Sequence, residues 1–324
     1  DPASAAAVAA LGSPAAVPGY PAAVGTLALR EAARGWMARR LGVTVDPSAV
    51  AACVGTKEFV GTLPQWLRLR RPSHDTVLYP AISYPTYEMG AVLAGCRPVP
   101  YSTLAEVDPA DAERALCVWV NSPSNPTGEL VDLDAAATWG RSRGIPVMSD
   151  ECYVEFTWDG PPQTILTSGA EGVLAVHSLS KRSNFAGARV GFYAGDADLV
   201  RYLSEVRKHA GFMVAGPVQA AAVAALDDDT HVEEQRGRYR RRLERLRAVL
   251  GAVGVEAPMP AGAFYLWAPA PGGDAWALAK RLATEAGALV SPGEFYGPSG
   301  AGFVRLAAVA PDDRIELAAS RLGV

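Results

Sequence analysis

The sequence has 324 residues, of which 49% are hydrophobic, and this length allows one large and one smaller domain. The formal net charge of -4 gives no reason to expect nucleic acid or an anionic membrane as a partner. No apolar run approaches the roughly 20 residues of a membrane span, and the Ala-rich start lacks the basic and apolar regions of a secretory signal. Scattered cysteines without a C-x-x-C pair, and no N-glycosylation sequon, are typical of a cytoplasmic protein.

The first hundred residues predict helices alternating with strands. Residues 1–19 are rich in Ala and Pro without a strong pattern, so we expect no regular element there. After them the apolar spacing predicts these elements in order: a helix at 26–41, a strand at 50–54, a helix at 59–69 opened by Gly55-Thr56-Lys57-Glu58, a strand at 76–79, a helix at 88–94 and a strand at 97–101.

Three continuous apolar strands then repeat at a regular spacing. They end at Asn121, Asp150 and Ser178, with a helix predicted at 131–143, and each interval is about one β-α-β unit. Such strands indicate an α/β fold whose large domain has a mostly parallel central sheet covered by helices. Ligands bind at the carboxyl ends of the strands in such sheets.

The second half of the chain predicts an antiparallel strand at 188–194, helices from Asp198 onward and a long helix from Thr230. Thr230 and Glu233 have the spacing of a capping box, and the arginines at 236–247 are expected on solvated faces. The remaining elements are strands at 262–267, 288–290 and 302–307 and a helix at 274–287. We therefore expect a large domain at 20–229 and a small α+β domain formed by 1–19 and 230–324.

Polar side chains follow the predicted strand ends, and the most informative is Lys181 in Ser178-Leu-Ser180-Lys181. The chain has 26 arginines but only four lysines, and lysine, unlike arginine, can lose its proton and form a Schiff base. Taken alone, the motif also suits a surface lysine at a strand end. The residues upstream of the motif must therefore distinguish a Schiff-base lysine from a surface lysine.

Asp150 and Asn125 are the next candidates. Asp150 directly follows a buried strand, where a carboxylate needs a partner, so it is either a helix cap or the counter-ion of a cationic ring. Tyr153 lies three residues further on, and one helical turn would bring its hydroxyl beside that carboxylate. Asn125 lies in a proline-stiffened turn, which is either a plain Asn-Pro turn or a fixed amide donor.

The start of the helix at Thr56 and Lys57 predicts an anion site, because free N–H groups and the helix dipole attract negative charge there. The spacing is not that of a nucleotide-binding loop. With Ser178, Ser180 and Arg189, this helix start would satisfy one phosphate, and Tyr84 would stack on a flat ring. One cofactor combines a phosphate, an aldehyde, a ring nitrogen and a phenolic oxygen: pyridoxal 5′-phosphate (PLP).

The motifs Asn125-Pro-Thr-Gly128, Asp150-x-x-Tyr153 and Ser178-x-Ser-Lys181, followed by Arg189, have the order and spacing of fold-type I aminotransferases. The chain resembles that family from about residue 20 to its end. The resemblance implies that Lys181 forms the Schiff base with PLP and then moves a proton as general base and acid. It also implies that Asp150 pairs with the pyridine nitrogen, and that Tyr153 and Asn125 hold the phenolic oxygen.

The same resemblance implies three further roles. Tyr84 is expected to stack on the cofactor ring, and Tyr20 to contact the cofactor phosphate of a neighbouring subunit, which makes the protein a homodimer with shared active sites. Arg305, in Phe-Val-Arg-Leu-Ala, is expected to bind the substrate α-carboxylate, for which a planar guanidinium is well suited. Asn125 is expected to assist it at the substrate.

Longer strings, such as Trp119-Val-Asn-Ser-Pro-Ser-Asn-Pro-Thr-Gly and Ser291-Pro-Gly-Glu-Phe-Tyr-Gly297, resemble succinyldiaminopimelate aminotransferases. This implies transamination between glutamate/2-oxoglutarate and N-succinyl-2-amino-6-oxopimelate in diaminopimelate and lysine biosynthesis. The alternatives are another aminotransferase or a cysteine-conjugate β-lyase on the same scaffold. A non-catalytic PLP-binding regulator domain is disfavoured, because the sequence shows no helix-turn-helix module and all the chemical residues are present.

Overall fold

The structure is a computed structural model that describes residues 1–12 and 19–324. Its α-helices are α1 Ala5–Ala10, α2 Leu27–Leu41, α3 Thr56–Arg70, α4 Thr86–Leu93, α5 Pro109–Glu113, α6 Leu133–Arg141, α7 Leu179–Arg182, α8 Ala197–His209, α9 Gly216–Asp227, α10 Thr230–Ala252, α11 Ala275–Arg281 and α12 Asp312–Arg321. Its strands are β1 Val50–Cys53, β2 Thr76–Pro80, β3 Arg97–Tyr101, β4 Ala115–Asn121, β5 Val147–Asp150, β6 Val173–Ser178, β7 Gly191–Gly195, β8 Tyr265–Pro269, β9 Ser291–Pro292 and β10 Phe303–Ala307.

The large sheet has the strand order β1-β7-β6-β5-β4-β2-β3 within the described part of the chain. Only β7 runs antiparallel to its neighbours, β1 and β6, and the other strand pairs are parallel. Strands β4, β5 and β6 are buried along their whole length. The predicted mostly parallel α/β sheet is therefore confirmed, and the six parallel strands place their carboxyl ends along one edge.

Helices cover both faces of this sheet, because successive strand residues point to opposite sides. On β5, Val147 packs into a core with α2, α6 and α9, whereas the next residue, Met148, packs into a second core with α3, α4 and α8. Helix α2 begins after Thr26, whose hydroxyl accepts a hydrogen bond from the N–H of Leu29, and ends at Gly42 with a left-handed φ of 69°.

The smaller sheet is antiparallel, with the order β8-β10-β9, and it packs on α10, α11 and α12. One face of α10 packs on this core, where Tyr239, Leu243, Leu246 and Leu250 are all buried. The long helix α10 thus supports the small sheet, while its first turn follows directly on α9 of the larger one. The boundary near residue 230 stays a prediction.

Four details differ from the expectations. The Ala-rich start contains helix α1, whose run of alanines carries no polar residues that would reveal a period; it packs on α9, and its Ala7 is fully buried in the large domain's core. The capping box is wrong, because Thr230 is already helical and its N–H bonds to Asp228. The strand expected at 288–290 lies instead at β9, two residues long.

The fourth difference concerns the arginine-rich face of α10. Arg242 is not solvated: its side chain is 4% exposed and forms ion pairs with Asp1 and Asp312. A guanidinium needs such partners when it is buried. No helix in the described residues is long and apolar enough to span a bilayer.

Candidate active site

Eleven of the twelve predicted site residues line one cavity of about 470 Å³ at the carboxyl edge of the large sheet. Most of them lie at or just after the ends of β1, β2, β4, β5 and β6. Arg189 precedes β7, which begins at the same edge because it runs antiparallel to its neighbours. The small sheet contributes Arg305 from β10. The eleven residues are Thr56, Lys57, Tyr84, Asn125, Asp150, Tyr153, Ser178, Ser180, Lys181, Arg189 and Arg305.

Lys181 lies in the short helix α7 that follows β6. The hydroxyl of Ser178 caps this helix by accepting a hydrogen bond from the N–H of Ser180 at 3.2 Å. The next residue, Arg182, is buried and donates hydrogen bonds to Glu155, to the carbonyl of Ala225 and to Asp229. The turn that carries Lys181 is therefore fixed from behind, while the lysine itself faces the cavity.

Asp150 is buried at the end of β5 and accepts two hydrogen bonds, from the hydroxyl of Tyr87 at 2.8 Å and from the N–H of Cys152 at 3.2 Å. Burial raises the pKa of Asp150, and these two hydrogen bonds and the charge of Lys181 act against the rise. Tyr87 is itself fully buried and stacks on Trp119. The expectation that Tyr153 contacts this carboxylate is wrong: the hydroxyl in contact is that of Tyr87.

Tyr153 points elsewhere because residues 151–153 form a turn and not a helical turn. Its hydroxyl is 2.7 Å from the hydroxyl of Tyr265 on β8. Burial raises the pKa of Tyr153, so its phenol stays protonated at neutral pH. Both hydroxyls line the cavity, where either one is able to donate a hydrogen bond.

Asn125 and Arg305 meet across the two sheets. The guanidinium Nη1 of Arg305 donates to Oδ1 of Asn125 at 2.7 Å, and the guanidinium lies over the rings of Tyr265 and Tyr296. Asn121 braces the loop: its side chain accepts from the N–H of Asn125 and donates to the carbonyl of Asp150. The Nε of Arg305 is buried and has no partner among the described residues. The site thus presents guanidinium donors in a fixed orientation.

An anion site lies at the start of α3. Gly55 precedes the helix with a φ of 78°, and no side chain caps the helix. The guanidinium of Arg189 lies directly against Gly55, in the space that a Cβ would take, and the positive φ of Gly55 favours glycine at this position. The uncapped N–H groups, the guanidinium and the serines at 178 and 180 form a cradle suited to a phosphate.

These residues fit PLP. The cradle at Gly55 and Arg189 suits its phosphate, the buried carboxylate of Asp150 suits a pyridinium, and hydroxyl and amide donors suit its phenolic oxygen. Lys181 supplies the amine. In the described part of the chain no group of three His, Cys, Asp or Glu side chains is arranged to hold a metal ion.

Tyr20 is the predicted residue that the structure does not bring to the cavity; it is 96% exposed. Sequence reasoning also missed residues that belong to the site. Asn121, Cys152 and Tyr265 line the cavity, and Tyr87 supports Asp150 from behind. The signal for Asn121 was present, since the chain has three asparagines and two lie in this loop. No comparable signal marks Tyr87 or Tyr265, which reach the site only through the fold.

Comparison with curated proteins finds three informative relatives. The 4-dedimethylamino-4-oxo-anhydrotetracycline transaminase OxyQ of Streptomyces rimosus is 48% identical over 313 residues, 94% of this chain and 85% of the relative. A probable aminotransferase of Mycobacterium tuberculosis is 44% identical over 97% of this chain and 75% of its own length. An LL-diaminopimelate aminotransferase of Desulforudis audaxviator is 35% identical over 94% and 81%, respectively.

Solved structures give the same result. BacF of Bacillus subtilis, in its apo form, superposes with a TM-score of 0.91 at 28% identity, covering 99% of this chain and 91% of BacF. A probable N-succinyldiaminopimelate aminotransferase of Thermus thermophilus has a TM-score of 0.87 at 30% identity, with 99% and 91% coverage. The model of the family "Aminotransferase class I and II" matches residues 2–322. This chain therefore belongs to the class I and II aminotransferases, which use pyridoxal 5′-phosphate.

Proposed function

We propose that this aminotransferase transfers an amino group between glutamate/2-oxoglutarate and N-succinyl-2-amino-6-oxopimelate, a step toward diaminopimelate and lysine. The observation that carries the proposal is the charge of the cavity. Among the described residues, Lys57, Lys181, Arg189 and Arg305 line it, with Asp150 as the carboxylate. PLP would engage Arg189 and Lys181, and the positive charge that remains suits substrates that carry more than one carboxylate.

The comparisons support the diaminopimelate class without singling out one member. One structural neighbour is named as a probable N-succinyldiaminopimelate aminotransferase, and one relative as an LL-diaminopimelate aminotransferase. Both kinds of substrate combine an α-amino or keto group with a distant acidic end. The motifs around residues 119–128 and 291–297 favour the succinylated substrate.

The chain's own residues would hold PLP as follows. Arg189, the two serines and the start of α3 bind the phosphate, Tyr84 packs on the ring, and Asn125 and Tyr153 donate to the phenolic oxygen. Asp150 keeps the ring nitrogen protonated, and Tyr87 keeps Asp150 charged and in place. When bound, PLP supplies an electron sink that stabilises negative charge at the substrate's Cα.

Lys181 is the residue that moves the proton in this proposal. Its side chain lines the cavity from a turn held by Ser178 and Arg182, so the backbone that carries the amine is fixed. It acts as a general base toward the donor and returns the proton as a general acid. The same amine serves both half-reactions, because the second runs the first in reverse.

Arg305 binds the α-carboxylate that all the substrates share. Its Nη1 is held by Asn125, and its Nε has no partner among the described residues, so Nε and Nη2 form the free edge of the guanidinium. A carboxylate binds such an edge with two parallel hydrogen bonds. The aromatic rings of Tyr265 and Tyr296, whose centroids lie 4.2 and 4.8 Å from the guanidinium carbon, help to keep it in that orientation.

The proposal includes a homodimer with shared active sites. Tyr20 is almost fully exposed, so its side chain is accessible to a second copy of the chain. Within the class I and II aminotransferases, the resemblance assigns this tyrosine to the cofactor phosphate of the other subunit. We therefore propose that Tyr20 completes the cradle at Arg189 of a second copy.

A second candidate is the amination of a bulky polycyclic ketone. It is favoured by a second cavity of about 910 Å³, which is lined by both apolar and polar side chains and shares Asn121 with the first. Trp139, Trp267 and Phe303 are among its lining residues. The relative OxyQ is named for a tetracyclic ketone, which flat aromatic surfaces of this kind would accommodate.

The deciding experiment supplies the PLP-loaded enzyme with each candidate amino donor and 2-oxoglutarate and measures the glutamate formed. N-Succinyl-LL-diaminopimelate is the expected donor, and free LL-diaminopimelate and an anhydrotetracycline amine are the competitors. The proposal requires that the succinylated donor has the highest kcat/KM. A higher value for the tetracyclic amine would favour the second candidate. Pyruvate released from cysteine conjugates without a keto-acid acceptor would indicate a β-lyase.

A further inference from the structure

The helix that forms one wall of the phosphate cradle carries a carboxylate in its own first turn. Glu58 is the third residue of α3 and the acidic residue of that turn. A negative side chain near a helix start is attracted by the same free N–H groups and helix dipole that bind a phosphate. A glutamate at the third position commonly reaches back toward the helix start. The chain therefore has an anion of its own beside the place where the cofactor phosphate is expected to bind.

Arg207, in the last turn of α8, engages this carboxylate. Its two terminal nitrogens donate to the two oxygens of Glu58 at 2.6 and 2.8 Å, so the pair is bidentate. The side chain of Arg207 is only 1% exposed. Its guanidinium carbon lies 5.4 Å from the ring centroid of Phe59 and 5.1 Å from that of Phe212. Burial between these rings and the carboxylate fixes the direction in which Arg207 pulls Glu58.

The other contacts of Glu58 also keep it off the helix start. One oxygen accepts from the N–H of Val54, which precedes the helix, at 3.2 Å. The other accepts from the hydroxyl of Thr62, one turn further along α3, at 3.1 Å. No side chain in the described part of the molecule caps α3. The carboxylate is thus held beside the helix start without occupying it, and the N–H groups there stay available to a phosphate.

We propose that Arg207 is a positioning residue for the cofactor phosphate: it neutralises Glu58 and holds its carboxylate away from the start of α3. The inference rests on the phosphate cradle at Gly55 and Arg189. Neither Arg207 nor Glu58 lines the active-site cavity, so Arg207 acts through the glutamate and not on the cofactor itself. Without Arg207, the charge of Glu58 would repel the phosphate and its oxygens would compete for the same N–H groups.

The test compares PLP with 5′-deoxypyridoxal, which keeps the ring, the phenol and the aldehyde but lacks the phosphate. The apoprotein is titrated with each compound, and the absorbance of the bound chromophore gives two dissociation constants. Both compounds offer the same aldehyde to Lys181. The ratio of the constant for 5′-deoxypyridoxal to that for PLP is therefore a phosphate preference, which isolates the contribution of the phosphate.

The two charges of the pair should have opposite effects on the phosphate preference. Arg207→Met should lower it by about tenfold, or about 1.4 kcal/mol, because it leaves an uncompensated anion near the phosphate. Glu58→Gln should not lower it, because the amide carries no charge and Arg207 remains cationic. The double variant Arg207→Met/Glu58→Gln should recover most of the preference that Arg207→Met loses. A purely structural brace would instead make both single variants lose the preference and leave the double variant unrecovered.

Arg242→Met is the matched control. Arg242 is another buried arginine, with a side chain 4% exposed and paired with Asp312, and it does not line the cavity. The same substitution there should leave the phosphate preference unchanged, whatever it costs in thermal stability. If Arg207→Met does not fold, Glu58→Gln alone decides, because a lowered preference in that variant contradicts the inference.

The remaining outcomes separate the possible errors. An unchanged phosphate preference in folded Arg207→Met overturns the inference, as does an equal loss in Arg207→Met and Glu58→Gln, and both leave the aminotransferase function intact. If the unmodified apoprotein binds PLP no more tightly than 5′-deoxypyridoxal, the phosphate cradle itself is wrong, and the inference fails with it.

Discussion

Removing the hydroxyl of Tyr87 tests how the chain keeps Asp150 charged. Tyr87→Phe deletes the hydrogen bond that the hydroxyl donates to Oδ2 of Asp150 at 2.8 Å and leaves the ring stacked on Trp119. Both side chains are buried, so water does not easily replace the lost donor. Asp150 keeps only the N–H of Cys152 as a hydrogen-bond donor within the described residues.

The magnitude follows from that geometry. A hydrogen bond to a charged group is worth about 1.5–3 kcal/mol. Because burial already raises the pKa of Asp150, losing this bond raises it further and weakens the charge that holds a ring nitrogen protonated. We expect kcat to fall by about 10- to 100-fold, since about 1.4 kcal/mol corresponds to tenfold in rate. KM should change little, because Tyr87 does not line the cavity.

The pH dependence of stability and of kcat distinguishes an effect on the charge of Asp150 from a purely structural role of Tyr87. A carboxyl whose pKa is raised by folding contributes stability below its unfolded pKa, about 3.9, and that contribution is lost as the pH rises through the folded pKa. Apo Tyr87→Phe should therefore lose more stability than the unmodified apoprotein between acidic and neutral pH. In the PLP-loaded enzyme, the acidic limb of the kcat profile should move to higher pH.

The assay is steady-state transamination across pH 5 to 9, with thermal unfolding of the apoprotein over the same range. Tyr79→Phe is the matched control, because Tyr79 lies in the same core on β2 but does not line the cavity. Asp150→Asn sets the lower limit, with an expected loss of about 10²–10³ in rate or more. If Tyr87→Phe keeps the unmodified kcat and pH profile while Asp150→Asn loses activity, the hydrogen bond plays no part in catalysis.

Four further predictions concern other parts of the molecule. Lys181→Ala should abolish turnover while PLP still binds weakly, and borohydride reduction of the unmodified enzyme should label Lys181; a label on another lysine would exclude its role. Arg305→Lys should lower kcat/KM by about 10- to 100-fold for donor and acceptor alike, because the bidentate edge is lost; a loss confined to one half-reaction would mean that Arg305 reads a side-chain carboxylate. Arg182→Met should lower the free energy of unfolding by about 1–3 kcal/mol, because the buried carbonyl of Ala225 loses its donor while Glu155 keeps Arg40 and Trp36 as partners; denaturant unfolding measures the change, and an unchanged free energy would contradict this. Tyr20→Phe should raise the dissociation constant of PLP and leave the sedimentation of the dimer unchanged, whereas an active monomer would contradict the shared site.

The sequence predicted the large sheet well because its signal is local and repeated. Strands β4, β5 and β6 are buried along their whole length, so each appears as a continuous apolar run that ends in a polar residue. Since parallel strands end at one edge, those polar residues had to meet, and the structure places Asn125, Asp150 and Lys181 in one cavity. Thr56 and Tyr84, which follow β1 and β2, obey the same rule.

Contacts between distant elements were not predictable in this way. The partner of Tyr153 is Tyr265, 112 residues away on the small sheet, and the partner of Asp150 is Tyr87, 63 residues earlier. No spacing rule links residues so far apart in the chain, because their proximity depends on how two sheets and their helices pack. Helix α1 was not predicted for a simpler reason: its six residues, five of them alanine, show no apolar period.

The hydrogen bonds that cross between the two sheets suggest how substrate binding is linked to domain position. Tyr153 and Asn125 follow strands of the large sheet, whereas Tyr265 and Arg305 belong to the small one, and each pair meets at 2.7 Å. In the proposed mechanism, a carboxylate bound to the free edge of Arg305 is held by the small sheet, while Lys181, which follows a strand of the large sheet, moves the proton at the substrate Cα. Any relative movement of the two sheets would change the distance between the carboxylate and the reactive amine. The two cross-sheet contacts thus hold the two sheets in the arrangement that the proposed proton transfer requires, and Tyr265 belongs to the site because it forms one of them.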